Sequence, residues 1–232
     1  MALVVGELSK RKFRDDILGA LRGIPAGLIG LYTQIIEQID EKDIYRDICI
    51  TLLSIAVVAY RPLHLSKLRY LIEKQQDEVK TAVELCASFL TIRDGYIYLI
   101  HQSAKDFLDR DNAATRILPK HPEIHYRIYS RSQETLSTKL RRDIYGLNNP
   151  GLSVSEIAAL QPDPDPLFDL RYSCTYWLDH FLELMPLERF EVLDDQVSDF
   201  FKQHFPHWLE SLGLTGELRH GILSLKSLLY SS

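Results

Sequence analysis

The stretch Phe89 to Asp109, FLTIRDGYIYLIHQSAKDFLD, constrains this chain more than any other. Two short runs of β-branched and aromatic residues, FLTIR and YIYLI, meet at Asp94-Gly95. Asp-Gly between apolar runs predicts a tight hairpin, because such a turn needs positive φ, which glycine adopts without steric cost. The second run leads into His101 and then QSAKDFLD, which reads as a helix. A titratable side chain therefore stands at a strand-to-helix junction. Two readings are open for it: a histidine satisfied locally at the strand end, or a donor reaching a phosphate where free backbone N–H groups and the helix dipole welcome an anion.

Helices flank this hairpin on both sides. Met1 to Leu8 reads as the end of a helix cut from a larger fold, and Phe13 to Leu21 as a helical stripe ending at Gly23. Leu28, Leu31, Tyr32, Ile35, Ile36 and Ile39 recur at three and four, which predicts an amphipathic helix stopping near Asp40. Asp43 is expected to cap the next helix, which is apolar on every side from Ile48 and ends at Arg61-Pro62. Ser66 and Asp77 are placed as caps of two further helices, carrying Leu68, Leu71 and Ile72, and then Val79, Val83 and Phe89. Three helices and a two-stranded wing make a winged-helix module. Beyond it, His121 to Leu140 reads as a long polar-rich helix, Asn148 to Gly151 as a turn, and Val154 to Leu160 as a short helix begun by Ser153. Gln161 to Pro166 holds three prolines and cannot be helix interior. Leu170, Cys174, Trp177, Leu178 and Phe181 share one helix face, and Val197 to Phe205, His207 to Leu212 and Glu217 to Leu229 complete the array. The expected fold is thus mainly α, a winged-helix module with one β-hairpin followed by an α-helical array. Its expected divisions are a helical remnant (1–42), the winged helix (43–112) and a helical arm (113–232).

Composition excludes several functions. A net charge of −5 argues against a general nucleic-acid binder, whose phosphate contacts need a basic surface. The expected third helix of the winged module carries Asp77, Glu78 and Glu84 against Lys80, an unfavourable face for DNA. The longest apolar run, Ile48 to Tyr60, falls short of the ~20 residues that cross a bilayer, and no signal peptide opens the chain. Cys49, Cys86 and Cys174 are odd in number and set in apolar stretches, which reads as reduced core thiols in a cytoplasmic protein. No phosphate-binding glycine loop, Gly-x-Ser-x-Gly, His-Glu-x-x-His or Cys-x-x-Cys occurs, so no catalysis is expected. His121 and His125, at i and i+4, could hold a metal; the preferred reading is a solvated helix face with no metal. His204 and His207 are assigned to a turn at Pro206, and the aromatics around Trp177 to core packing.

Six blocks, in order, carry a resemblance: IPAGLIGLY (24–32), AYRPLHLSKL (59–68), VELCASFLTIRDGYIYLIHQSAKDFL (83–108), KLRRDIYGLNNPG (139–151), DPLFDLRYSCTYWLDH (165–180) and FKQHFPHWLESL (201–212). Together they resemble the segment that follows the NTPase core in fungal NACHT-type STAND proteins, relatives of vegetative-incompatibility proteins that often end in WD or ankyrin repeats. The resemblance implies a regulatory segment whose winged helix closes over ADP in the resting state. Its helical arm links that switch to a C-terminal sensor. It also implies that His101, in the so-called MHD position, contacts the ADP β-phosphate; Gln102 stands where plant and animal relatives have aspartate. ADP or ATP is then expected only with the upstream core, since this chain has no counterpart of the phosphate-binding lysine or metal-binding acids. Expected partners are that core, the downstream repeats and other proteins, with no nucleic acid and no membrane. The alternative is a winged-helix adaptor working through protein contacts without nucleotide.

Overall fold

The computed structural model describes residues 27–41, 44–110, 112–149, 151–185 and 190–231. The helices expected at Met1 to Leu8 and Phe13 to Leu21, and the cap expected at Asp43, lie outside them. The chain divides into two compact units between Lys120 and His121.

In the first unit, α1 (Leu28–Asp40) buries Leu31, Tyr32, Ile35, Ile36 and Ile39 along one stripe, as the spacing predicts. Helix α2 (Arg46–Val58) is buried nearly all round, from Ile48 to Ile55 without a break, so it forms the centre of the unit. Strand β1 (Leu63–His64) follows, then α3 (Leu65–Ile72), α4 (Gln76–Leu85), β2 (Leu90–Arg93), β3 (Tyr96–Leu99), α5 (Gln102–Arg110) and α6 (Asn112–Ile117). Asp94 and Gly95 both take positive φ, 51° and 78°, as the Asp-Gly signal requires. Side chains are excluded at Gly95 for a second reason: a Cβ there would collide with the His64 ring. The hairpin gains a third strand. β1 pairs antiparallel with β3, Leu63 against Ile97 and His64 against Tyr96, giving the order β1-β3-β2. Two residues after a proline carry no readable period, so the sequence shows only the hairpin. Two caps also differ from expectation. His64, not Ser66, caps α3, its Nδ1 accepting the Ser66 N–H at 3.3 Å. Helix α4 begins before Asp77, where the Glu78 carboxylate accepts the Gln75 N–H at 2.9 Å.

The regular elements among the described residues of the second unit are helices: α7 (His121–Lys139), α8 (Val154–Ala159), α9 (Arg171–Leu182), α10 (Phe190–Thr215) and α11 (Leu218–Ser231). Its core gathers on Trp177 and Trp208, both fully buried with ring centroids 6.0 Å apart, and the Trp208 indole N–H donates to the Cys174 carbonyl at 2.8 Å. Helix α10 corrects the break expected at Pro206, which lies inside one continuous helix. Proline there costs about 3 kcal/mol through a lost hydrogen bond and a ring clash. Phe200, Phe201 and Phe205 before it and Trp208 and Leu212 after it pack into one cluster, so burial on both sides outweighs that cost.

The proline-rich connection ends in an ion pair. Asp165 accepts from Tyr145 O–H at 3.0 Å, from the Leu167 N–H at 2.8 Å and from Arg171 Nη2 at 2.8 Å. Burial alone pushes the Asp165 carboxyl up, but the bonds from Arg171, Leu167 and Tyr145 outweigh it and hold it below the usual range. Replacing Asp165 with Ala takes the acceptor from these three donors and from the Gln161 amide, which also bonds it at 2.9 Å. Denaturant unfolding of Asp165→Ala is expected to show a loss of about 3 kcal/mol.

Candidate functional site

His101 lies between β3 and α5, its ring exposed. Its carbonyl accepts from the Ala104 N–H at 3.0 Å, which starts the helix. Its Nδ1 accepts the Ser103 N–H at 3.2 Å and lies 2.9 Å from the Ser103 hydroxyl. A backbone N–H can only donate, so Nδ1 is the acceptor and the ring proton of the neutral imidazole sits on Nε2. The Ser103 hydroxyl is also 3.1 Å from the hydroxyl of Tyr32 on α1. The Tyr32 ring is held in turn by Phe89, at 5.2 Å, and by Phe107, at 5.3 Å between centroids. Core aromatics thus fix a tyrosine, the tyrosine meets a serine, and the serine orients the histidine. Gln102 turns along its own helix, donating to Asp106 at 3.0 Å.

The same His-x-Ser arrangement occurs at His64-Leu65-Ser66, where Nδ1 again caps a helix. There the far side of the ring is packed beneath the hairpin turn at Gly95. His64 is therefore a structural cap, whereas His101 combines the same local bonding with an outward ring. One nitrogen of His101 is satisfied locally, and the residue is exposed. Tyr32 and Ser103 escape sequence inspection because the contact spans 71 residues; a serine two positions after a histidine is the one local signal.

The His121/His125 pair is not a solvated face. His125 is buried and its Nδ1 lies 2.8 Å from Nδ1 of His180, whose Nε2 is 2.8 Å from the Tyr172 hydroxyl. The sequence conceals this because the two rings are 55 residues apart. Among the described residues no three His, Cys, Asp or Glu side chains form a group able to hold a metal. His204 and His207 both lie on α10 rather than in a turn. Cys49, Cys86 and Cys174 are buried thiols. No helix among the described residues is long and apolar enough to cross a membrane.

Against this geometry stands one similarity. The vegetative incompatibility protein HET-E-1 of Podospora anserina is 35% identical to the chain over 252 aligned positions, which cover 98% of this chain and 18% of that protein. The chain spans less than a fifth of the length of this curated relative. No family model matches the chain, and no solved structure matches it. The described part of the sequence is mainly helical with a small antiparallel sheet, and it is related to a segment of a vegetative incompatibility protein.

Two measurements follow from these histidines. In Ser103→Ala the hydroxyl contacts to Nδ1 and to Tyr32 are gone but the backbone N–H into Nδ1 remains, so nitrogen-15 shifts of His101 should still report the Nε2–H tautomer; a mixture of the two tautomers would show that the hydroxyl, not the backbone, sets it. The buried pair sets a pH dependence. Burial, with the nearby His125, pushes His180 down to about 3; burial also lowers His125, outweighing the pull of Glu183. Unfolded histidines take up protons below pH ~6.5 that these two refuse when folded. Their contribution to stability is therefore complete above that pH and declines as pH falls below it, for His180 down to about 3. Urea unfolding should weaken by up to about 1.4 kcal/mol per pH unit for each histidine, and a His125→Leu/His180→Leu variant should flatten that slope.

Proposed function

We propose that this chain is the regulatory segment of a NACHT-type STAND protein of the fungal vegetative-incompatibility kind, without catalysis of its own. The observation carrying this reading is His101, with Nδ1 committed to Ser103 and its ring exposed at the start of a nine-residue helix. A neutral imidazole so held offers one N–H, and the first turn of α5 adds its dipole, which suits a phosphate oxygen. The order α2-β1-α3-α4-β2-β3, with a three-stranded antiparallel sheet, supports a winged-helix reading for 43–112. The similarity to a vegetative incompatibility protein supports a signalling role.

In this reading the winged helix closes over ADP held by an upstream NTPase core. The 113–232 arm transmits the state to downstream WD or ankyrin repeats, in the cytoplasm. Exchange of ADP for ATP removes the preference for the closed arrangement, and a rigid-body rotation opens the protein to its partners. A charge-assisted bond to phosphate of about 1.5–3 kcal/mol biases such an equilibrium by about one to two decades. The exposed Asp77 and Glu84 on α4, with one Lys80 beside them, speak against DNA as the partner.

The test joins the chain to its upstream core and compares ADP affinity of the parent with His101→Ala. A loss of about tenfold to hundredfold is expected. Unchanged affinity would remove His101 from the site, and ATP hydrolysis by the purified chain well above a buffer control would contradict the non-catalytic reading.

A further inference from the structure

Beside the sheet of the first unit lies an apolar notch of about 210 Å³. Leu52 and Ile55 on α2, Leu63 on β1, Leu68 on α3 and Ile97 on β3, all buried, make its floor. Ala56 on α2 and Ala59 just after it are too short to fill the space. The volume is below the ~300 Å³ at which pockets begin to hold whole small molecules, so it suits one large apolar side chain.

The backbone beside the notch is open as well. Along a strand the polar groups of successive residues face opposite neighbours. The Ile100 N–H donates to the Phe89 carbonyl at 2.8 Å towards β2, and the Gly95 carbonyl accepts from the Leu65 N–H at 2.9 Å on the β1 side. By this alternation Leu99 faces the β1 side, as Gly95 and Ile97 do. The ladder with β1 reaches only Tyr96 and Ile97, and the residue before it is Pro62, which has no N–H to offer. Leu99, which lines the notch, therefore has no strand opposite it.

The rim carries charge of one sign. Arg61 and Lys105, both half-buried, are the charged side chains of the lining, with no carboxylate among them. Lys105 makes no ion pair among the described residues: Asp109, one turn on, meets Arg110 at 3.6 Å, and Asp106 accepts from Gln102. A third cation, Arg93, stands 6.0 Å from the centre of the Tyr98 ring, which also lines the notch. Three cations at one opening favour an anionic occupant.

We propose that this notch binds an extended acidic peptide of a partner protein. One peptide residue pairs with the Leu99 N–H and carbonyl. Its apolar side chain enters the face of the sheet that Ile97 and Leu99 share, where the floor lies. An Asp or Glu beside it meets Lys105 and Arg61. Lipid headgroups and nucleic acids also carry anions, but neither supplies a peptide backbone to pair with Leu99. This notch is independent of the His101 contact, and no nucleotide enters its test.

The experiment pans a random heptapeptide library on the full chain without nucleotide and measures the enriched peptides by fluorescence polarisation. They should carry Leu, Ile or Phe next to Asp or Glu. Ala56→Leu fills the notch from a helical position that leucine suits, and should weaken them about tenfold or more while the melting curve stays cooperative. Lys105→Gln should weaken acidic peptides and leave their Asn or Gln counterparts unchanged. Methylating the backbone nitrogen of the apolar peptide residue removes the pairing to Leu99 with every side chain intact, and should cost about tenfold or more. No enrichment over a blank surface, enrichment of peptides lacking acidic residues, unchanged binding in Lys105→Gln, or methylation tolerated at every peptide nitrogen would overturn the proposal. Dimerisation of the chain that Ala56→Leu abolishes would give the notch to a second copy and overturn it too.

Discussion

The hydrogen bond from the Ser103 N–H into Nδ1 of His101 is the constraint on which the account depends. It does two things at once. It satisfies a helix N-terminal donor, so α5 can begin after only Ile100 and His101 beyond the end of β3. It also fixes the tautomer, so the remaining ring N–H faces away from the helix it caps. Any anion recognition by this residue follows from that single choice. The Tyr32–Ser103 contact extends the constraint to α1, so the orientation of the ring rests on the aromatic core of the first unit.

In the second unit burial decides matters that local rules would settle otherwise. Pro206 should end a helix, yet aromatic residues on both sides keep α10 unbroken. His125 and His180 should prefer water, yet they satisfy one another inside, with Tyr172 on the far nitrogen. Both cases follow one rule: a local penalty of a few kcal/mol is tolerated where a large apolar surface is removed from water around it. The turn after α7 is the contrasting case, where bonds to the Asp143 carboxylate rather than apolar packing hold the backbone.

Much of the architecture is legible in the sequence. The period of three and four in α1, the unbroken apolar run of α2 and the Asp94-Gly95 turn each state one local preference that packing did not oppose. Strand β1 was not legible, because two residues carry no period and their pairing with β3 crosses two intervening helices. The caps of α3 and α4, His64 and Gln75, each lie two residues before the expected Ser66 and Asp77, because a histidine nitrogen and a glutamate at N3 do what serine and aspartate commonly do. The place of His101 just after a strand is readable in the sequence; its tautomer, its serine and its tyrosine are not, since those need the distance between α1 and α5.

The central claim is that His101 presents Nε2–H to a nucleotide phosphate. Nitrogen-15 spectra of histidine-labelled protein carrying the upstream core, recorded before and after ADP, test it most directly. The account predicts that ADP moves the His101 Nε2 resonance while Nδ1 keeps the shift of an acceptor nitrogen. Saturating ADP with no change at Nε2, or a ring protonated at Nδ1 from the start, would contradict it.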